Sequence, residues 1–262
     1  MKLKLGEATI AYEVRGTSGP WVIFSHSLGC TRHMWRRQID ELERTCRVLA
    51  YDLRGHGDSE ADMVPGTLEQ LAGDVQALMG HLGITSAHFV GISIGGMIGQ
   101  TLAIESPASV TSLVLANTGM YMPPAAVEQW MQRIQVAQDK GVAWLARPSM
   151  ERWFPESFRQ SHPEIIEELV EEFSRTSVQG YVSCCQAIMG LDTREALSRI
   201  QCPTLIIGGG DDPGASSQVL RQMSDRIHGS EVLILDGAGH LSSIDHPVEF
   251  TAALKRFLLS TF

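Results

Sequence analysis

From Lys2 to Arg15 the chain alternates apolar and polar residues with period two, broken at Gly6-Glu7 and ended by Gly16-Thr17-Ser18-Gly19-Pro20. That is the pattern of a β-hairpin. Beyond it the rhythm changes. Short apolar runs (Trp21–Phe24, Arg47–Tyr51, Ala87–Val90, Val110–Leu115, Thr204–Ile207 and Glu231–Leu235) alternate with helical spacings. Leu68, Leu71, Val75, Leu78, Met79 and Leu82 recur at three and four residues, as on a core-facing helix. Residues 36–42, 95–105 and the closing segment with Phe250, Leu254, Phe257 and Leu258 also read as helices. Strands alternating with helices predict βαβ units, hence the α/β class with a mostly parallel, doubly wound sheet.

One stretch breaks the alternation. From Met120 to Met189 there are helical patterns and no strand pattern: Trp130, Met131, Ile134, Val136 and Ala137 suggest one helix, and Ile165, Ile166, Leu169, Val170 and Phe173 another. Pro123-Pro124 opens the stretch, and Pro148, Pro155 and Pro163 punctuate it. The expected organisation is therefore a core of residues 1–119 and 190–262, with 120–189 inserted as a helical cap between the sixth and seventh core strands.

Composition narrows the function classes. With 21 basic and 30 acidic residues the formal charge is −9, which disfavours a polyanionic partner such as nucleic acid. No apolar run approaches the roughly 18 residues of a membrane span, and Glu7 interrupts the N-terminus before a signal sequence develops. The five cysteines, Cys30, Cys46, Cys184, Cys185 and Cys202, show no C-x-x-C spacing and are odd in number, which fits neither a disulfide framework nor a zinc site. Free thiols point to a reducing compartment, and the chain reads as cytoplasmic. The histidines lack metal-ligand spacing and there is no phosphate-binding or dinucleotide fingerprint, so neither metal nor organic cofactor is expected. The expected partner is a small molecule, the expected assembly a monomer or homodimer.

Gly91-Ile92-Ser93-Ile94-Gly95 fits G-x-S-x-G. The bare pattern is weak; its context strengthens it, because a strand runs directly in and a helix directly out. Such a turn strains the serine backbone and needs small neighbours, and it leaves the hydroxyl exposed at a helix N-terminus. A serine nucleophile needs a base within hydrogen-bond reach. Among nine histidines, His240 in Gly237-Ala238-Gly239-His240 follows the last strand, at the sheet edge where α/β sites form. His246 reads as a helix-start residue, His56 as a turn residue and His88 as a strand residue. The acid that orients the imidazole follows the strand Thr204–Ile207 as Asp212, with Asp211 as the alternative. The other usual position for it, after the sixth strand, holds Asn117, which carries no charge. Backbone N–H groups of Ile94 and Leu28 are the expected oxyanion donors.

On these residues the chain resembles the α/β-hydrolase superfamily, and within it the 3-oxoadipate enol-lactonases. The resembling segments include His26-Ser27-Leu28-Gly29, Tyr51-Asp52-Leu53-Arg54-Gly55-His56-Gly57, Gly91–Met97, Ala116-Asn117-Thr118, Arg152-Trp153-Phe154, Gly180-Tyr181 and Gly237–His240. Cys184-Cys185 and Gly208-Gly209-Gly210 depart from that pattern, and the decarboxylase sometimes fused to such lactonases is not expected here. The resemblance implies an α/β-hydrolase fold, ring opening of a lactone through an acyl-enzyme, and a place in aromatic catabolism. It also implies a substrate bearing a free carboxylate, for which Arg152 is the candidate contact, beside Trp153. The rival readings are a general carboxylesterase or neutral-lactone hydrolase with the same triad, a C–C bond hydrolase, and a non-catalytic binding protein on the same fold. Haloalkane dehalogenation is disfavoured, since it needs a carboxylate where Ser93 stands.

Overall fold

The computed structural model describes residues 1–61 and 66–261. Residues 62–65 and 262, which the expected core includes, lie outside the described set. The chain opens with the expected antiparallel hairpin, β1 (Lys2–Leu5) and β2 (Ala8–Arg15). It continues through β3 (Trp21–Ser25), α1 (Arg36–Leu42), β4 (Arg47–Tyr51), α2 (Leu68–Leu82), β5 (Ala87–Ile92), α3 (Ile94–Glu105) and β6 (Val110–Ala116). Five helices follow: α4 (Pro124–Lys140), α5 (Ala143–Trp153), α6 (Glu156–Ser161), α7 (Pro163–Ser174) and α8 (Val178–Met189). The sheet resumes with β7 (Thr204–Gly209), α9 (Ser217–Ser224) and β8 (Glu231–Leu235), and the chain closes on α10 (Ser242–Asp245) and α11 (Pro247–Ser260).

The strands form one sheet in the order β1-β2-β4-β3-β5-β6-β7-β8, antiparallel across β1–β2–β4 and parallel from β4 to β8. Strands β5 and β7 are buried along their whole length. Helices cover both faces of a parallel sheet, which is why these strands read as continuous apolar runs rather than alternating ones. Where the order reverses, β3 lies between β4 and β5, and the loops after β3 and β5 open side by side at the C-terminal edge. This is the crevice where ligands bind open α/β sheets.

The stretch between β6 and β7 is helical, as the pattern predicts, but one face was read differently. Met131 is exposed, whereas Ile134 and Ala137 are buried. A helix turns about 100° per residue, so Met131 falls well round the cylinder from Trp130 and away from the stripe through Ile134 and Ala137. The short α6 carries no buried residue and so left no periodic signal.

Two imidazoles staple the loops that leave β3 and β4. His26 Nε2 accepts the Leu53 N–H at 2.8 Å while its Nδ1 donates to the Ser27 carbonyl at 2.7 Å. His56 Nδ1 donates to the Arg54 carbonyl at 3.0 Å, with the two rings 5.4 Å apart. Both are fully buried, and burial pushes His26 down to about 4 and His56 to about 3 from an ordinary value of 6.5. The unfolded chain therefore binds more protons than the folded one below pH 6.5, and stability falls as pH drops from there toward 4. His33, raised by its hydrogen bond to Glu172, acts in the opposite sense but is one group against three, since burial lowers His88 as well. The urea midpoint is expected to decline between pH 7 and pH 5, by on the order of 1–3 kcal/mol in unfolding free energy. A midpoint that stays level or rises over that range would contradict the neutral-imidazole staple.

Candidate active site

Strand β5 ends in Gly91-Ile92, and α3 begins at Ile94, so the chain must reverse at Ser93 in a single residue. It does so with φ 56° and ψ −121°, in the half of conformational space that a non-glycine residue seldom occupies. The flanking glycines are what permit this. A Cβ on Gly91 would strike the Gly95 carbonyl oxygen, and one on Gly95 would strike the Ser25 carbonyl oxygen. Both obstacles are backbone and cannot step aside. The turn is fixed further by Ser93 N–H donating to the Ala116 carbonyl at 2.9 Å and by Thr118 Oγ1 donating to the Ser93 carbonyl at 2.8 Å.

The structure brings Ser93, His240 and Asp212 together. His240 Nε2 lies 3.0 Å from Ser93 Oγ, and Nδ1 lies 3.0 Å from each Asp212 carboxylate oxygen. The contacts span 147 and 28 residues of sequence. With Asp212 ionised, Nδ1 donates to it, which leaves Nε2 to accept the Ser93 proton. The Asp212 side chain is fully buried and that of His240 is 12% exposed. Burial alone pushes the Asp212 carboxyl upward. His240, the Asn117 amide at 2.9 Å and the Gly214 N–H at 2.7 Å outweigh it and hold the group at about 2. The acid is thus an anion throughout the neutral range.

The alternatives fall elsewhere. Asp211 is exposed and contributes only its backbone N–H, to the Ala238 carbonyl. His246 pairs with Asp245 at 3.1 Å, His88 bonds Ser112 Oγ at 2.7 Å inside the sheet, and His56 sits in the staple described above. Leu28 lines the cavity beside Ser93. The Ile94 N–H is the first of α3 and, like every first-turn amide, has no intrahelical acceptor.

Two supports were not foreseen. Asn117, at φ 45°, reads in the sequence only as a missing charge, yet its Nδ2 donates to both Asp212 Oδ2 and the Gly239 carbonyl at 3.1 Å. Its Oδ1 accepts from Ser242 Oγ at 2.5 Å. One amide therefore ties the acid loop to the imidazole loop. Asp245 accepts the Gly239 N–H at 2.6 Å, and the next amide, His240 N–H, donates to the Trp153 carbonyl at 2.7 Å. The only advance signal was position: a small amide directly after a buried strand, in a conformation Asn tolerates better than most residues.

Above Ser93 and His240 opens a cavity of about 250 Å³, mainly apolar, walled by Met97, Trp130, Trp153 and Ile188 among others. Trp153 is buried with its ring 6.0 Å from that of His240. Arg152 also lines the cavity, although it is exposed. No helix among the described residues is long and apolar enough to cross a membrane.

Residues 20–247 match the family model described as the alpha/beta hydrolase fold. The chain belongs to that family. It is 37% identical over 242 residues to 3-oxoadipate enol-lactonase 2 of Acinetobacter baylyi, covering 91% of this chain and 90% of that one. Among solved structures, the enol-lactonase from Burkholderia xenovorans LB400 superposes with a TM-score of 0.95 at 34% identity, covering 99% of this chain and all of the other. A thermophilic esterase from Thermogutta terrifontis, solved with malate bound, gives 0.94 at 27% identity over 100% and 99% of the two chains.

Replacing Asn117 with alanine leaves a buried carboxylate oxygen and a buried carbonyl each short of a donor, in a backbone conformation that alanine disfavours. The expected loss is about 2–4 kcal/mol of stability, together with a fall in turnover that exceeds any change in KM. A thermal melt and a kinetic comparison with the parent check both; an unchanged melting temperature would show that the two loops hold without the amide.

Proposed function

We propose that this protein is a carboxylic-ester hydrolase that opens a lactone ring, with 3-oxoadipate enol-lactone as its substrate. The carrying observation is the unbroken hydrogen-bonded chain from Ser93 through His240 to Asp212 on the floor of a small cavity. In this reading Ser93 Oγ attacks the ring carbonyl while His240 Nε2 takes its proton, and the buried Asp212 anion stabilises the imidazolium. Negative charge grows on the carbonyl oxygen and is met by the amides of Ile94 and Leu28. The C–O bond of the ring then breaks. The departing enolate is delocalised and needs little help from an acid. It stays tethered to the acyl group but becomes a ketone when its carbon receives, through water, the proton that His240 took from Ser93, which returns the imidazole to its neutral form and removes the nucleophile that would reclose the ring. Water activated by His240 finally cleaves the acyl-serine ester. Residues 120–189 act as the cap that shields this site, with Arg152 and Trp153 as substrate contacts.

A general carboxylesterase uses the same three side chains, and the likeness to the Thermogutta esterase keeps that reading in play. Side-by-side rates on the enol-lactone and on p-nitrophenyl esters separate the two. A lactone preference in kcat/KM is expected, and a preference for simple esters would favour the esterase. A fluorophosphonate should label the native protein and not Ser93→Ala; absence of labelling in the native protein would point to a binding function instead. Ser93→Ala and His240→Ala should each lower kcat by on the order of 10⁴–10⁶, and Asp212→Asn by about 10²–10⁴. Arg152→Gln should raise KM for the acidic lactone more than for neutral esters; equal losses would remove Arg152 from substrate binding.

A further inference from the structure

The chain carries nine more acidic than basic groups, yet its cavity is cationic. Among the described residues lining it, the acidic and basic side chains other than His240 are Asp212, Arg133 and Arg152, and Asp212 is committed to the imidazole. Arg133 was not singled out by the sequence. It stands on α4 three residues after Trp130 and seven after Ala126, which puts all three on one helical face, and all three line the cavity. Its guanidinium lies 5.6 Å from the centre of the Trp130 ring.

The partners of Arg133 are unusual for a half-buried cation. Nε and Nη2 donate to Tyr181 Oη at 3.0 and 2.8 Å, and Nη2 also donates to Ser149 Oγ at 2.9 Å. The Ser149 proton is already given to the Leu145 carbonyl, so its oxygen is free to accept. Every acceptor is a neutral hydroxyl; no carboxylate pairs with Arg133, and Nη1 has no bond within the protein, among the described residues. A cation partly withdrawn from water and left without a counter-anion is costly unless something else supplies the anion. The hydroxyls fix one edge of the fork in advance, so little orientational freedom remains to be lost when an anion arrives. Arg152, by contrast, is exposed and held by no described hydrogen bond or ion pair.

We propose that Arg133 is the fixed anchor for the substrate carboxylate and the residue that sets selectivity for acidic over neutral lactones, with Arg152 a mobile second cation at the rim. The proposal deepens the lactonase reading and depends on it for the identity of the substrate, but not for the class of anion.

The test measures KM and kcat for the enol-lactone acid and for its methyl ester, with the native enzyme, Arg133→Gln and Arg133→Lys. Glutamine keeps a donor for Tyr181 and removes the charge. Arg133→Gln should raise KM for the acid about tenfold or more beyond any rise for the methyl ester, and Arg133→Lys should recover part of that gap. Equal losses on acid and ester, or no loss on either, would overturn the proposal. Adipate inhibition of p-nitrophenyl acetate hydrolysis supplies an arm independent of lactone turnover. If the native enzyme opens neither lactone, the lactonase reading fails, and adipate alone then decides. Inhibition that Arg133→Gln weakens about tenfold upholds the anchor, whereas inhibition that is absent or unaltered by the change overturns it. Should Arg133→Gln not fold, Tyr181→Phe leaves the charge but releases the fixed edge. It should raise KM for the acid, or the adipate inhibition constant, about threefold without matching loss on the neutral substrate; no such separation overturns the proposal.

Discussion

The site depends on backbone approaching backbone. Strand β5, helix α3 and the end of β3 meet so closely around Ser93 that the Cβ atoms absent from Gly91 and Gly95 would occupy space already filled by carbonyl oxygens. That contact forces the serine into its strained conformation, and the strain is held by a hydrogen bond to β6 on one side and one from Thr118 on the other. An exposed hydroxyl at a helix N-terminus follows from this packing. A bulkier turn would move the oxygen away from His240.

Around that fixed point the other two members of the relay are carried by loops, and loops need outside support. The β7 and β8 loops are tied to each other by Asn117 and to themselves by Asp245 and Gly214. The acid is thereby stabilised as an anion by several donors rather than by the imidazole alone, so its charge persists even while the imidazole is neutral. The same economy appears after β3 and β4, where an uncharged His26 bridges two turns and an uncharged His56 braces one of them and packs on His26.

Much of this was legible in the sequence because it is local or periodic. The hairpin, the alternating strands, the turn at Ser93 and the helical stretch between β6 and β7 each leave a pattern within a few residues of one another. The placement of Ser93, Asp212 and His240 was legible because all three follow strands that end at one sheet edge. Asn117, Asp245 and Arg133 were not, for a common reason. Their roles are defined by partners outside any periodic pattern: Gly239, 122 residues from Asn117, Tyr181, 48 residues from Arg133, and, for Asp245, a loop amide six residues back. No periodicity encodes such a meeting. Met131 is the complementary case, an apolar residue next in sequence to a buried stripe that the helix rotates outward.

The hydrogen bond from the His240 amide to the Trp153 carbonyl joins the imidazole loop directly to the end of α5. Lifting α5 would withdraw the acceptor that steadies the imidazole, and α4 is itself bonded to α5 through Arg133 and Ser149. Cavity wall and relay are thus joined, so a change that shifts the end of α5 reaches His240 through a single backbone bond.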